Sequence, residues 1–240
     1  MANVTILAPH IDDESIGMGG SIAKHIDLGN AVRVIFFDSG RDGIEMKERE
    51  SEAENVMAFL GIKDAQFLRG AIPYLHRSIP ETIVGLLRQY STDFLYAPHL
   101  NDGDSEHVTI SELAHRLLWM ANGNYFPDQE GKCNIKSLFL YEIHRPINEV
   151  HYLEDISSYE KRKKTAISMY KSQTGRVKYH KSAISLNRYR GISSEFSQCA
   201  EAFQIFGARN LIEIIGPAQL LTPGAPPANA HRSYQNRKKS

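Results

Sequence analysis

Short apolar runs and amphipathic stretches take turns through the first 143 residues. Val4 to Ala8 is an apolar run that ends at Pro9, Ser15 to Leu28 carries small and apolar residues at helical spacing, and Val32 to Phe37 is a second run closed by Asp38-Ser39-Gly40. Between Ile44 and Leu60, Met46, Ala53, Val56, Met57 and Leu60 recur near a 3.6-residue period and stop at Gly61, which is the pattern of an amphipathic helix. A strand at Ala65 to Leu68, a helix from Ile79 to Tyr90, a strand at Phe94 to Ala97, a helix from Val108 to Met120 and a fifth strand at 137–143 continue the series. Strand and helix in turn predict an α/β fold with a mostly parallel sheet flanked by helices.

Beyond residue 150 the alternation fades. Lys161 to Tyr170 is expected to be helical, with the run Lys161 to Lys164 on its polar face, and Ser193 to Phe206 to form a further helix; both would cover one side of the sheet. From Gly216 the chain turns to Pro, Gly, Ala and Asn and finishes NRKKS. These readings divide it into a single domain over 1–216 and a disordered tail over 217–240.

Composition narrows the function more than the fold. The 240 residues balance 28 Lys and Arg against 28 Asp and Glu, and 42% are hydrophobic, so neither a disordered chain nor a polyanion binder is indicated and nucleic acid is disfavoured as a partner. Cys133 and Cys199 lie far apart with no CxxC, which leaves neither a disulfide framework nor a cysteine-rich zinc site and points to a reducing compartment. The start, MANVTILAPHIDDE, lacks the basic region of a signal peptide, and no apolar stretch approaches the roughly 18 residues of a membrane helix. A soluble, cytoplasmic protein is expected.

The chemistry concentrates after the first strand, where His10, Asp12, Asp13 and Glu14 stand between strand and helix. Acids at a helix start are favoured by capping and by the macrodipole, so the triplet of acids alone reads as a cap. His10 changes that reading, because an imidazole and a carboxylate three residues apart on a turn can face one cation and leave Asp12 free to face a water. If the strands follow the common order 3-2-1-4-5, the loops leaving the first and fourth strands share a crevice. The loop after the fourth strand offers His99 and His107, beside Asp102, Asp104 and Glu106, and either imidazole could complete the set. Three protein ligands with an open position are the pattern of a catalytic zinc, whose chemistry is hydrolysis. Gly17, Gly19 and Gly20 with Asp38 superficially match a dinucleotide fingerprint, but they do not follow the strand directly, and acids stand where a pyrophosphate would meet the helix. The glycines read instead as allowing close helix packing beneath the acidic loop.

The stretch Ala8-Pro9-His10-Ile11-Asp12-Asp13-Glu14, followed by Gly19-Gly20, closely resembles the AHPDDE signature of the PIG-L / LmbE-like zinc N-acetyl deacetylases. Arg49 and Glu52 ahead of Leu60-Gly61, and Ala97-Pro98-His99 with Asp102 to His107, are similar to that family's second helix and second metal motif; Ser172-Gln173, Arg190-Gly191 and Ala200 to Phe203 resemble segments of some members. The resemblance spans about residues 3–206. It implies a Rossmann-like fold, one zinc or other divalent ion held by His10, Asp13 and His107, Asp12 as general base, and Arg49 as a substrate contact, the alternative for Arg49 being an exposed helix pair with Glu52. It also implies removal of an N-acetyl group from an amino sugar or glycoconjugate in glycan biosynthesis. Two departures stand out. Ile11 replaces the usual Pro, and Asp104 stands where members commonly carry a His that assists the oxyanion or the leaving amine, a role an ionised carboxylate cannot fill by donation. His99 is one candidate to take that role, and Glu106 is expected to orient a catalytic or ligand side chain. The departure at Asp104 also motivates a catalytically silent metal- or sugar-binding protein as the alternative, with an amidase for larger acyl groups as a variant; oligomeric state is left open.

Overall fold

The computed structural model describes residues 1–70, 72, 78–131, 133–175 and 177–207. The expected tail lies outside them. The strands are β1 (Asn3–His10), β2 (Ala31–Asp38), β3 (Asp64–Phe67), β4 (Phe94–Pro98), β5 (Ser137–Tyr141), β6 (Tyr152–Asp155) and β7 (Ala200–Phe206). The helices are α1 (Asp13–Asp27), α2 (Gly43–Leu60), α3 (Ser78–Gln89), α4 (Ser105–Asn122), α5 (Glu160–Met169), the short α6 (Lys171–Thr174) and α7 (Tyr179–Ser193).

One seven-stranded sheet runs β3-β2-β1-β4-β5-β7-β6. The first five strands pair in parallel in the anticipated order, and β7 joins antiparallel to both β5 and β6. Alternate residues of β1 feed opposite cores, as a sheet covered on both faces requires. Val4, Ile6 and Ala8 pack with Met18, Ile22, Val56, Leu60 and Ala166 from α1, α2 and α5; Leu7 packs with Ile83, Leu87, Ile110 and Leu117 from α3 and α4. The order reverses at β1, so the carboxyl ends of β1 and β4 open the crevice in which α/β proteins bind ligands.

Helix α1 is bent rather than continuous. Met18 leaves helical geometry at φ −142°, ψ 26°. Gly20 N and Ser21 N, which begin the second stretch, donate to the Glu201 carboxylate at 2.9 and 2.7 Å, and Ser21 Oγ donates at 2.5 Å. Lys163 Nζ completes the cluster 2.6 Å from Glu201 Oε1, with both side chains fully buried. A Cβ at Gly17 would overlap the Tyr141 ring and one at Gly20 would lie 2.7 Å from Ile156, so close packing accounts for these glycines.

Two expectations for the second half require correction. The segment 193–206 is not a helix: α7 ends at Ser193, and Ala200–Phe206 is the strand between β5 and β6. Its sequence, AEAFQIF, hides the two-residue period because one face carries Ala200 and Ala202 while the other carries the buried Glu201 beside Phe203 and Ile205. Lys163 is likewise not on a solvated face, since Glu201 supplies the counter-charge that lets an ammonium lie inside.

Candidate metal centre

His10 is the last residue of β1, and the chain turns sharply after it. Asp12 adopts φ 119°, ψ −20°, a conformation costly for a residue with a side chain and of the kind that clusters at functional sites. The turn lets Asp13 Oδ2 accept from His10 N at 2.9 Å and places its carboxylate beside the His10 ring. From the other side, α4 begins at Ser105 with Asp104 as its N-cap, the Asp104 carboxylate accepting from Glu106 N at 2.8 Å. That start buries His107 completely and points it at the same spot.

Three atoms converge there. His10 Nδ1 lies 3.2 Å from His107 Nε2 and 3.3 Å from Asp13 Oδ2, and His107 Nε2 lies 3.2 Å from Asp13 Oδ2. The nearly equilateral triangle suits a small divalent ion, since ligands about 2.0–2.1 Å from a tetrahedral zinc stand about 3.3–3.4 Å from one another. The outward nitrogen of each ring has a carboxylate: His10 Nε2 is 2.5 Å from Glu106 Oε2, and His107 Nδ1 is 3.0 Å from Asp102 Oδ1. Such outer carboxylates fix the tautomer and orientation of metal-binding imidazoles. Glu106 therefore orients His10, as the sequence led us to expect of it. Asp102 does more, because its Oδ2 accepts from His144 N at 3.0 Å, tying the loop after β4 to the loop after β5.

The local electrostatics favour positive charge at this point. Burial opposes protonation of both rings, yet Asp13 and Glu106 raise His10 to about 9, and Asp13 and Asp102 raise His107 to about 10. Burial would lift the Asp13 carboxyl, but the charge of His107 and the hydrogen bonds from both imidazoles hold it well below the usual range. Among the described residues no side chain hydrogen-bonds to the Asp12 carboxylate, and only the charges of His10 and Arg49 work against its rise. Burial first, then the charges of Asp13 and Glu14, pushes its carboxyl well above the usual range.

The remaining sequence candidates separate cleanly. His99 is buried with its Nε2 2.9 Å from Arg145 O, so it stands outside the triangle. Arg49 is a neighbour of the site whose charge acts on Asp12, and it pairs with Glu45 one turn earlier rather than with Glu52. Glu52 instead accepts from Ser172 N and Oγ. Gln173, with its amide turned so that oxygen faces the guanidinium, accepts from Arg49 Nε at 2.6 Å. His144 was missed by the sequence reading. Its ring stacks on His107 at 4.9 Å and 13°, open to solvent, and Tyr179 of α7 stands 6.1 Å beyond it. The signal was present in outline, because a His three residues past a strand that neighbours β4 leaves the sheet at the same end.

Comparison with solved structures places this geometry on a known fold. The chain is 24% identical to a conserved protein of Thermus thermophilus, with a TM-score of 0.75 over 94% of this chain and 100% of that one. It is 23% identical to the N,N'-diacetylchitobiose deacetylase of Pyrococcus horikoshii, with a TM-score of 0.73 over 89% and 86% of the two chains. A 4-carboxy-2-hydroxymuconate hydratase from Pseudomonas putida is 20% identical, with a TM-score of 0.72 over 87% and 98%. One fold thus carries different reactions, and the reaction has to be argued from the site. The model of the PIG-L family, GlcNAc-PI de-N-acetylase, matches residues 5–118, the stretch that holds β1, the acidic turn, α2 and the His107 loop. Residues 5–118 thus carry a PIG-L family domain match, and the solved structures above share its fold.

Proposed function

We propose that this protein is a zinc-dependent hydrolase that removes the N-acetyl group from an amino sugar or glycoconjugate. The observation that carries the reading is the triangle of His10, Asp13 and His107, each imidazole backed by a carboxylate, with the strained Asp12, whose carboxylate takes no side-chain hydrogen bond among the described residues, beside it. An ion held by these three residues would supply Lewis acidity for polarising the amide carbonyl and lowering the pKa of water. Asp12 takes the proton of the attacking water, a task for which a carboxyl pushed upward by burial is better matched to neutral pH than an ordinary one. His144, stacked on His107 and open to the crevice, donates to the departing amine. Arg49, steadied by Glu45 and Gln173, holds the sugar. Asp104 is engaged in capping α4, so its departure from the family pattern is met by an imidazole from another loop rather than by loss of the function.

The test is acetate release from a panel of N-acetylglucosamine conjugates by protein stripped of metal and then reloaded with zinc. Acetate that appears only after reloading supports the reading. Stoichiometric zinc without acetate from any member would favour the silent binding protein.

A further inference from the structure

The triangle does not use every ligating group at this end of the sheet. His10 turns Nδ1 toward Asp13 and His107, while Nε2, on the far side of the ring, lies 2.5 Å from Glu106 Oε2. A third group stands beside that contact. The parallel register sets Asp38, the last residue of β2, next to His10, the last residue of β1. One ligating atom each of His10, Asp38 and Glu106 lie within 4.8 Å of one another. Asp38 Oδ1 accepts from Gly40 N at 2.8 Å, which holds the carboxylate at the strand end.

Two features distinguish this group from an ordinary patch of surface acids. Its members come from three elements, the ends of β1 and β2 and the first turn of α4, and all three are half-buried. An imidazole is among them, and an imidazole with two carboxylates suits a borderline ion such as zinc better than magnesium, which prefers oxygen alone. Ions about 2.0–2.1 Å from opposite nitrogens of one ring stand roughly 6 Å apart, so neither ligand set crowds the other. The carboxylates of Asp13, Asp38, Asp102 and Glu106 offset the charge of both.

We propose that His10 Nε2, Asp38 and Glu106 form a second divalent-ion site, joined to the triangle through the His10 ring. To fill it, His10 gives up its Nε2 proton to solvent and its hydrogen bond to Glu106, and Nε2, Asp38 and Glu106 each take one coordination position. The lost proton, the charge of the first ion and the half-buried setting make this site the weaker of the two, so dialysed protein keeps one ion per chain. The site rests on the triangle only for the orientation of the His10 ring. Its ion can be counted without turnover.

The experiment is equilibrium dialysis of the full-length protein against buffered free zinc, from trace to near-millimolar, with ions per chain read by elemental analysis. The wild-type protein should take up a tight first equivalent and a weaker second one, and magnesium at the same concentrations should not produce the second step. Asp38→Asn keeps an oxygen for Gly40 N, so it should retain the first ion and weaken the second by about tenfold or more, given that even an outer carboxylate is worth about 10–100-fold. Calorimetry in two buffers of different ionisation heat should show a proton released on the second step. Asp104 groups instead with His107 and His144, and Asp104→Asn, which still caps α4, should leave both steps unchanged. A single equivalent over the whole range overturns the site, as does a second equivalent that survives Asp38→Asn, falls with Asp104→Asn, forms equally with magnesium or releases no proton. If a folded His107→Ala variant keeps its tight ion while Asp38→Asn still removes the weak one, the triangle reading fails and the second site stands.

Discussion

The two halves of the sheet contribute to the crevice in different ways. The parallel half, β1 to β5, supplies every atom of the triangle and both carboxylates behind it, from the end of β1, the starts of α1 and α4, and the loop after β4. The half after residue 150 supplies none of these and instead holds the first in place: Glu201 and Lys163 grip the bend in α1, Tyr170 Oη donates to Glu14 at 2.7 Å, and Ser172 and Gln173 hold α2 through Glu52 and Arg49. The reactive groups sit where the chain leaves a strand. Their support comes from buried and half-buried polar side chains reaching across more than a hundred residues.

If that division is right, substitutions in the two halves should separate activity from stability. The largest effect is expected for Asp12→Asn, which should lower kcat by about 10²–10⁴ while keeping metal and melting temperature, because Asn also tolerates a positive φ but cannot take a proton. Turnover and metal content need to be measured on one preparation; metal lost in step with activity would make Asp12 a ligand. Glu201→Ala should do the reverse. It leaves the Lys163 ammonium buried without a partner, a change that costs about 3–5 kcal/mol and should lower the melting temperature on the order of 10 °C. Thermal unfolding checks it, and an unchanged midpoint would mean that the second half does not brace the first.

The same division explains how far the sequence could be read. In the parallel half, inward residues are mostly apolar on both faces and turn residues mark each end, so the strands are legible from periodicity, and the convergence of the His10 turn with the loop after β4 follows once the common strand order is assumed. The choice between His99 and His107 did not follow from periodicity, because both flank one loop; the structure separates them through the carbonyl of Arg145, which occupies His99. In the second half the inward residues include Lys163 and Glu201, whose charges read as solvent-facing until their partner is known. β6, with only four residues and two of them acidic, carried too little pattern to register. His144 escaped because its closeness to His107 is a contact between two loops that no spacing encodes.

Smaller effects sharpen the picture within the first half. Glu106→Gln and Asp102→Asn each remove a carboxylate behind a ring, and each should weaken metal affinity about 10–100-fold, measured by competition with a chelator. Asp102→Asn should be the more damaging of the two, since Asp102 also holds the His144 loop. The smallest effect is expected for Asp104→Ala, which removes a helix cap worth about 1 kcal/mol, seen in the melting temperature, and should leave metal content unchanged.

The central claim is that His10, Asp13 and His107 hold one divalent ion, and elemental analysis of purified protein addresses it most directly. Wild-type protein and a His99→Ala variant should each carry about one ion per chain, and a His107→Ala variant that remains folded should carry almost none. Full metal in the folded His107 variant, or loss of metal in the His99 variant alone, would contradict the account.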